Sequence, residues 1–332
     1  MWLRAEEVFA QKRQECSEMG EFIDRYLFDL QESLSGGKGV RGGLVCFGSI
    51  ACGKEVDQDL IDLGLAFEIF HTYLLIHDDI IDHDVLRRGK PSFHALYGKD
   101  SKHFGVSMGI MAGDVLSSMA YDLICQTSLS DSVKIKILRQ VNKTLFETGL
   151  GEILDVLKDI GDKPTREQVL QVHTLKTALY TFHSPLTIGA YAAQAKPEQI
   201  KTLQAYALPL GLAFQLHDDV LGLFGDEEKL GKPNTSDLKE GKQTILILDA
   251  YERATGQEKR LIDQALGNAD ITAEQAQAIR DIVKNTGALD YSIALAKEFK
   301  NQALSKLEKQ HLTTPGHEFL VNMAEYIVSR EY

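Results

Sequence analysis

An all-α fold is predicted for this chain of 332 residues, and three observations predict it. Apolar residues recur at helical spacing nearly everywhere; Leu60, Leu63, Phe67, Phe70, Leu74 and Ile81 step by three, four or seven. Strand-like alternation is almost absent. Proline is scarce, at 7 residues, so few positions force a helix to stop. Capping signals and glycines then punctuate the pattern.

The first helix is predicted over 4–33, closing before the break at Gly36-Gly37, and the second over 38–52. The third, 57–84, carries the apolar ladder above. Two long helices follow at 101–127 and 131–159, the latter ending before Gly161. Thr165 and Gln168 have capping-box spacing and open a helix over 166–192; the next spans 197–224. Shorter helices are placed at 237–254, 257–267 and 272–285, the last opened by Thr272 with Gln275 and closed by Asn285-Thr286-Gly287. Helices over 288–310 and 314–330 complete the chain. No Gly/Ser-rich or Pro-rich linker separates two halves, so a single domain over 1–332 is expected.

Composition narrows the function. With 36 Lys plus Arg against 48 Asp plus Glu, the net charge is −12. A general nucleic-acid binder needs a basic face, so that class is disfavoured, although a local basic pocket for a small anion is not. Apolar residues at 44% and charged residues at 25% exclude disordered and collagen-like classes for the bulk of the chain. The cysteines at 16, 46, 52 and 125 have no CxxC spacing and read as reduced thiols of a cytoplasmic protein. The first residues lack an apolar signal core, and no run reaches about 18 uninterrupted apolar residues, so no integral membrane segment is expected.

Two acidic clusters carry the chemistry. Asp78, Asp79 and Asp82 end a segment whose preceding residues Phe70, Tyr73, Leu74, Leu75 and Ile76 read as buried. Asp78 and Asp82 share one helix face, about 6 Å apart along the axis. Asp218 and Asp219, with Asp226 beyond, follow another apolar helix in the same way. Carboxylates delivered from buried helices call for a cation. Hard oxygen ligands suit Mg²⁺, which keeps waters and bridges to phosphate. Basic residues accompany the acids: Lys38 and Arg41 among glycines, Arg87-Arg88-Gly89-Lys90, Lys176-Thr177, and Lys232 and Lys242 after the second cluster. Glycines beside Lys and Arg let a backbone approach an anion. The Gly36-Gly37-Lys38 stretch is not a P-loop, since it lacks the GxxxxGK[ST] order and no strand precedes it. Together these residues point to a diphosphate held between metal and Arg/Lys, beside an apolar interior without an obvious polar base. The residues themselves reach as far as metal-assisted diphosphate chemistry on an apolar substrate.

From about Lys38 to Lys242 the chain resembles the trans-isoprenyl diphosphate synthases, or polyprenyl synthetases. Asp78-Asp79-Ile80-Ile81-Asp82 resembles their first aspartate-rich motif, DDxxD, and Asp218-Asp219 with Asp226 the second. The resemblance implies a single-domain orthogonal helical bundle around a deep central cavity, of isoprenoid synthase type, and a homodimer. It implies a prenyltransferase that joins isopentenyl diphosphate to an allylic diphosphate with Mg²⁺, three ions per active site. By position, Asp78 and Asp82 would bind two of them, with Asp79 in support, and Asp218 the third. Arg87, Lys176, Thr177, Gln215, Lys232 and Lys242 would line the allylic diphosphate. Lys38, Arg41, His71 and Arg88 would hold isopentenyl diphosphate. His77, His94 and His217 are read as structural. The chain departs from the family pattern at Gly222, where the second motif commonly ends in Asp, at Gly39 and Gly42-Gly43, where a basic residue and Pro are common, and at Thr235, where Gly is frequent.

Product length is read from Tyr73 and Leu74, five and four residues before Asp78. Five residues place Tyr73 about 7.5 Å deeper along the helix, where its ring would floor a growing chain. With no insertion in the first motif, this resembles enzymes of the archaeal geranylgeranyl type, so twenty carbons are expected, with a fifteen-carbon farnesyl product as runner-up. Three rival readings are a class I terpene cyclase, a phosphohydrolase using His77-Asp78 and His217-Asp218 as metal ligands, and a non-catalytic regulatory subunit of a prenyltransferase.

Overall fold

A computed structural model describes residues 1–157, 163–226, 234–307 and 311–329. Its helices, in chain order, are α1 (Trp2–Glu15), α2 (Glu21–Leu34), α3 (Val40–Ala51), α4 (Gln58–Ile81), α5 (Phe93–Tyr97), α6 (Lys102–Gln126), α7 (Asp131–Val156) and α8 (Arg166–Val172). A π-helical segment, His173–His183, continues α8 into α9 (Ser184–Ala192). Then come α10 (Pro197–Phe224), α11 (Ser236–Lys239), α12 (Ile245–Arg253), α13 (Gly256–Ala265), α14 (Ala273–Asn285), α15 (Ala288–Ser305) and α16 (Thr314–Ser329). The one sheet among the described residues is a hairpin of Leu86–Arg87 against Lys90–Pro91. The fold is all-α, and it groups into two compact units: Met1–Gln140 with Pro185–Ala195, and Val141–Ser184 with Lys196–Tyr332.

In the first unit α4 is the central element. The Asp57 side chain caps it by accepting the Leu60 amide at 3.0 Å. Of its apolar ladder, Leu60, Leu63, Phe67 and Phe70 are buried as the periodicity predicts, whereas Leu74 is half-buried and Ile81, at the helix end, is 42% exposed. Glycines bring its neighbours close. A Cβ on Gly42 of α3 would stand 2.8 Å from the carbonyl oxygen of Gly64 of α4, so these helices cross backbone to backbone. On α6, Gly109 faces Ile80, and a Cβ on Gly113 would fall on the His77 imidazole. His77 Nε2 lies 3.2 Å from the Ile110 carbonyl oxygen, and its ring packs edge-on to Tyr73. The structural role expected of His77 therefore has a specific form: it seats the last turns of α4 on α6. By length and composition α4 and α6 could each cross a membrane; here 67% and 44% of their apolar windows are buried within the protein.

In the second unit α10 packs against the π-helical segment and α15. A Cβ on Gly211 would collide with Ala178, so this contact too depends on a missing side chain. The capping boxes read from Thr165–Gln168 and Thr272–Gln275 are both formed, and Thr255–Glu258 makes a third. Buried apolar residues of α10 to α15, including Leu223, Leu246, Ile262 and Ile279, form one core cluster.

Most predicted spans match helices, and the departures have local causes. The span 4–33 is broken at Cys16–Gly20, where Gly20 adopts φ +92°. The span 57–84 stops at Ile81, with Asp82 as C-cap and His83 at φ +59°. The chain then makes the short hairpin, whose turn residues Arg88 and Gly89 both have positive φ, the conformation a two-residue hairpin turn requires. Span 237–254 divides into α11 and α12 around Gly241, at φ +71°. The short helix α5 went unpredicted. The breaks at Gly36-Gly37 and Asn285-Thr286-Gly287 are present; Gly161 lies outside the described residues.

Gly113→Ala tests the α4–α6 contact. Overpacking of this kind costs about 1–3 kcal/mol, so thermal unfolding should show that loss. An unchanged melting temperature would mean His77 can swing aside without consequence.

Candidate active site

The two units each present one acidic cluster, built alike. At the end of α4, Asp79 is 2% exposed, whereas the neighbouring Asp78 side chain is 24% exposed. Asp82 follows as the C-cap, its amide donating to the Asp78 carbonyl at 2.8 Å. On α10, Asp219 is buried and Asp218 is exposed. Adjacent helix positions point about 100° apart, so an Asp-Asp pair at the edge of a buried face turns one carboxylate inward and the other outward.

The inward carboxylates are tied to the protein. Arg87 Nε donates to Asp79 Oδ1 at 2.7 Å, and Arg87 Nη2 also pairs with Asp79. The same guanidinium lies 3.4 Å from Asp84 and 3.6 Å from Asp78. Burial pushes Asp79 up to about 6, against the opposing pull of Arg87. Asp219 is held differently: Gln215 Nε2 donates to its Oδ1 at 2.9 Å, and Thr177 donates to Gln215 Oε1 at 2.7 Å. Its Oδ2 has no hydrogen-bond partner and lies 3.4 Å from His173 Nε2. Burial pushes Asp219 up to about 8 and His173 down to about 4. At neutral pH a carboxyl held out of water thus faces a neutral imidazole, and a cation nearby would favour its ionised form.

Around the first cluster the structure gathers Arg41, His71, Arg87 and Arg88. Loss of solvation pushes His71 well below the usual histidine range, and the charges of Arg41, Arg88 and Arg87 act in the same direction. Arg88 Nη1 donates to the Ser35 carbonyl at 2.9 Å, and a Cβ on Gly37 would lie 3.5 Å from its guanidinium. Lys38 belongs to this same turn between α2 and α3. Around the second cluster, Lys176 Nζ pairs with Glu152 at 2.7 Å and Asp155 at 3.0 Å. Lys242 pairs with Asp237 at 3.4 Å and Glu240 at 3.5 Å, and Asp237 leads in holding it well above the usual lysine range. Lys232 lies outside the described residues.

Several partners were missed from the sequence: Glu68, Glu152, Asp155, His173 and Asp237. Most of them meet their partners through a helix packing or turn that no local pattern announces. Asp237 is the most instructive. It is 9% exposed, and its carboxylate occupies the space that a Cβ on Gly222 would need. The departure at Gly222 is therefore filled by a carboxylate from α11. A small pocket of about 10 Å³, bounded on its polar side by Asp219, Asp237, Lys242 and Thr244, lies beside it and has room for about one water molecule. Tyr73 and Leu74, half-buried, lie on α4 below Asp78; Phe70 and Tyr121 stack edge to face next to them, centroids 5.0 Å apart.

These donors suit Mg²⁺. The carboxylates of Asp78, Asp82 and Asp218 are hard oxygens, and beside Asp218 stands the buried Asp219, whose Oδ2 has no hydrogen-bond partner. No group of three acidic, His or Cys side chains is preassembled among the described residues. Mg²⁺ needs little from the protein, since it retains waters and takes further oxygens from phosphate.

The polyprenyl synthetase family model matches residues 26–284. The chain is 34% identical to a short chain isoprenyl diphosphate synthase of Methanothermobacter thermautotrophicus, across 90% of this chain and 88% of that one. It is 32% identical to a geranylgeranyl diphosphate synthase of Sulfolobus acidocaldarius, across 89% and 88%. Among solved structures it is similar to a geranylgeranyl pyrophosphate synthase from Corynebacterium glutamicum complexed with isoprenyl diphosphate and magnesium, with TM-score 0.94, 28% identity, and 99% and 97% coverage. It is also similar to the geranylgeranyl pyrophosphate synthetase from Pyrococcus horikoshii, with TM-score 0.81, 30% identity, and 99% and 100% coverage.

Gly222→Ala should dislodge Asp237 and cost about 1–3 kcal/mol. In an Asp237→Ala background most of that cost should vanish, because the colliding atoms are gone. Additive losses in the double-mutant cycle, read by denaturant unfolding, would contradict the contact.

Proposed function

We infer the reaction from one premise: this chain belongs to the polyprenyl synthetase family, and it is a prenyltransferase. We propose that it joins isopentenyl diphosphate to an allylic diphosphate and releases geranylgeranyl diphosphate, of twenty carbons. The observation that carries this reading is the company of the first acidic cluster. Arg41, His71, Arg87 and Arg88 stand beside Asp78, Asp79 and Asp82 in one unit. An enzyme that only ionises one diphosphate needs a single anion site, whereas a condensing enzyme needs a second, for a substrate that must keep its diphosphate.

In this reading Asp78, Asp82 and Asp218 would hold Mg²⁺, three ions in all, which when bound neutralises charge developing on the departing diphosphate. Asp79, clamped by Arg87, fixes the end of α4 and so the direction of Asp78. Asp219, held by Gln215 and Thr177, does the same for Asp218. Lys176, Lys242 and Lys232 are assigned to the allylic diphosphate. The allylic C–O bond breaks with its electrons going to diphosphate. The double bond of isopentenyl diphosphate then forms the new C–C bond, and a proton leaves to the diphosphate just released, which accounts for the lack of a dedicated base. Lys38, Arg41, His71 and Arg88 keep the isopentenyl diphosphate group in place through these steps. The apolar helices beneath exclude water, which would otherwise capture the cation. We assign Tyr73 and Leu74 to the floor that ends growth, and we place the enzyme in the cytoplasm as a homodimer acting as one domain.

Asp78→Ala should lower turnover by about 10²–10³-fold while the helical circular-dichroism signal persists. Full activity in that variant would refute the assignment of the first cluster. Tyr73→Ala should release products longer by one or more five-carbon units, resolved by mass. A folded, active variant with unchanged product length would remove Tyr73 from the floor.

A further inference from the structure

Glu68 is 4% exposed on α4, and nothing in the reaction just described uses it. Its Oε1 accepts the backbone amide of Gly42 at 2.8 Å. Gly42 lies in the first turn of α3, whose amides have no partners within the helix. The N-cap of α3 is Gly39, at φ +64°, and makes no side-chain cap. Glu68 therefore supplies from a neighbouring helix the cap that α3 lacks, and its negative charge sits at the favourable end of that helix. The reach is short because α3 and α4 cross at Gly42 and Gly64, and Glu68 is one turn beyond Gly64 on the same face.

That turn of α3 carries Arg41, with Lys38 just ahead of it. Three residues beyond Glu68, again on one face, is His71. Arg88, resting on Ser35 and Gly37, lies within the electrostatic reach of Glu68, Arg41 and Asp79. One buried carboxylate thus touches the turn bearing two of the isopentenyl residues, sits a turn from the third, and lies within electrostatic reach of the fourth.

We propose that Glu68 is a positioning residue for isopentenyl diphosphate: its hydrogen bond to the Gly42 amide fixes the Lys38–Arg41 turn against α4 and so sets the spacing of Arg41, His71 and Arg88. It does not touch the substrate. The proposal rests on the assignment of these residues to isopentenyl diphosphate, and the experiment separates the two.

Steady-state kinetics are measured with each diphosphate varied in turn at saturating levels of the other. Arg88→Ala tests the pocket itself; it should raise the KM for isopentenyl diphosphate and spare the allylic KM. Glu68→Asp keeps the charge but withdraws the oxygen by one methylene, and Glu68→Gln keeps the accepting oxygen without the charge. Glu68→Asp should raise the isopentenyl KM about 10-fold, equivalent to about 1.4 kcal/mol, with the allylic KM within about 2-fold. Glu68→Gln should restore it to within about 3-fold of the starting enzyme. If Arg88→Ala behaves as stated but Glu68→Asp leaves the isopentenyl KM unchanged, the pocket stands and the role of Glu68 is wrong. Equal rises in both KM values, or a Gln variant as impaired as Asp, would also overturn it. If Arg88→Ala moves only the allylic KM, the pocket has been assigned to the wrong substrate and the proposal falls with it.

Discussion

A carboxylate that an apolar helix carries out of water must be met by a cation or by hydrogen-bond donors. Both acidic clusters obey this rule, and their geometry follows from it. Asp79 and Asp219 turn inward and are held by the protein, Asp79 by Arg87 and Asp219 through its Oδ1 by Gln215. Asp78 and Asp218 are the more exposed members of the two pairs. The buried partner of each pair has no catalytic contact in this scheme. Its work is to stop the helix end from fraying, since carboxylates repel one another along a helix face unless something holds them.

Small side chains supply the precision that this requires. Gly113 lets His77 settle on α6, Gly64 lets α3 approach α4, and Gly211 lets α10 approach the π-helical segment. In each case an added Cβ would push apart two helices whose ends carry charged residues. The backbone separation at these crossings therefore sets the separation of the functional groups, which is how residues remote from the chemistry come to govern it. The π-helical segment contributes in the same way. It lies between α8 and α9 without a break, yet its wider turn rotates Lys176 and Thr177 relative to α-helical register, and such segments recur at functional sites.

Much of this was legible in the sequence because it is written in local patterns. Helical periodicity and capping boxes gave the elements, and adjacent aspartates after apolar runs gave both clusters. What stayed hidden was non-local. Glu68 reads as one more polar residue on α4, and only the crossing at Gly64 brings it to the Gly42 amide. Asp237 reads as a helix start, and only the packing of α11 on α10 shows its carboxylate against Gly222. Lys176, expected at a diphosphate, lies between Glu152 and Asp155, partners that a helix packing brings and no spacing reveals. The hairpin at 86–91 escaped notice because two-residue strands leave no periodic signature.

The same placements weigh on the rival readings. A phosphohydrolase that used His77 as a transition-metal ligand would need its imidazole turned toward Asp78. Instead the ring lies over Gly113 and against Tyr73, with Nε2 at the Ile110 carbonyl, so it is committed to packing. A terpene cyclase would need one diphosphate site and would have no use for a second cluster of cations. Yet Arg41, His71 and Arg88 are assembled at a cost, with like charges close together and Arg88 at φ +53°. Repulsion and strain of this kind persist only where surrounding structure enforces them. A second anionic substrate gives that arrangement a purpose, because two diphosphates must be held at once before carbon can be joined to carbon.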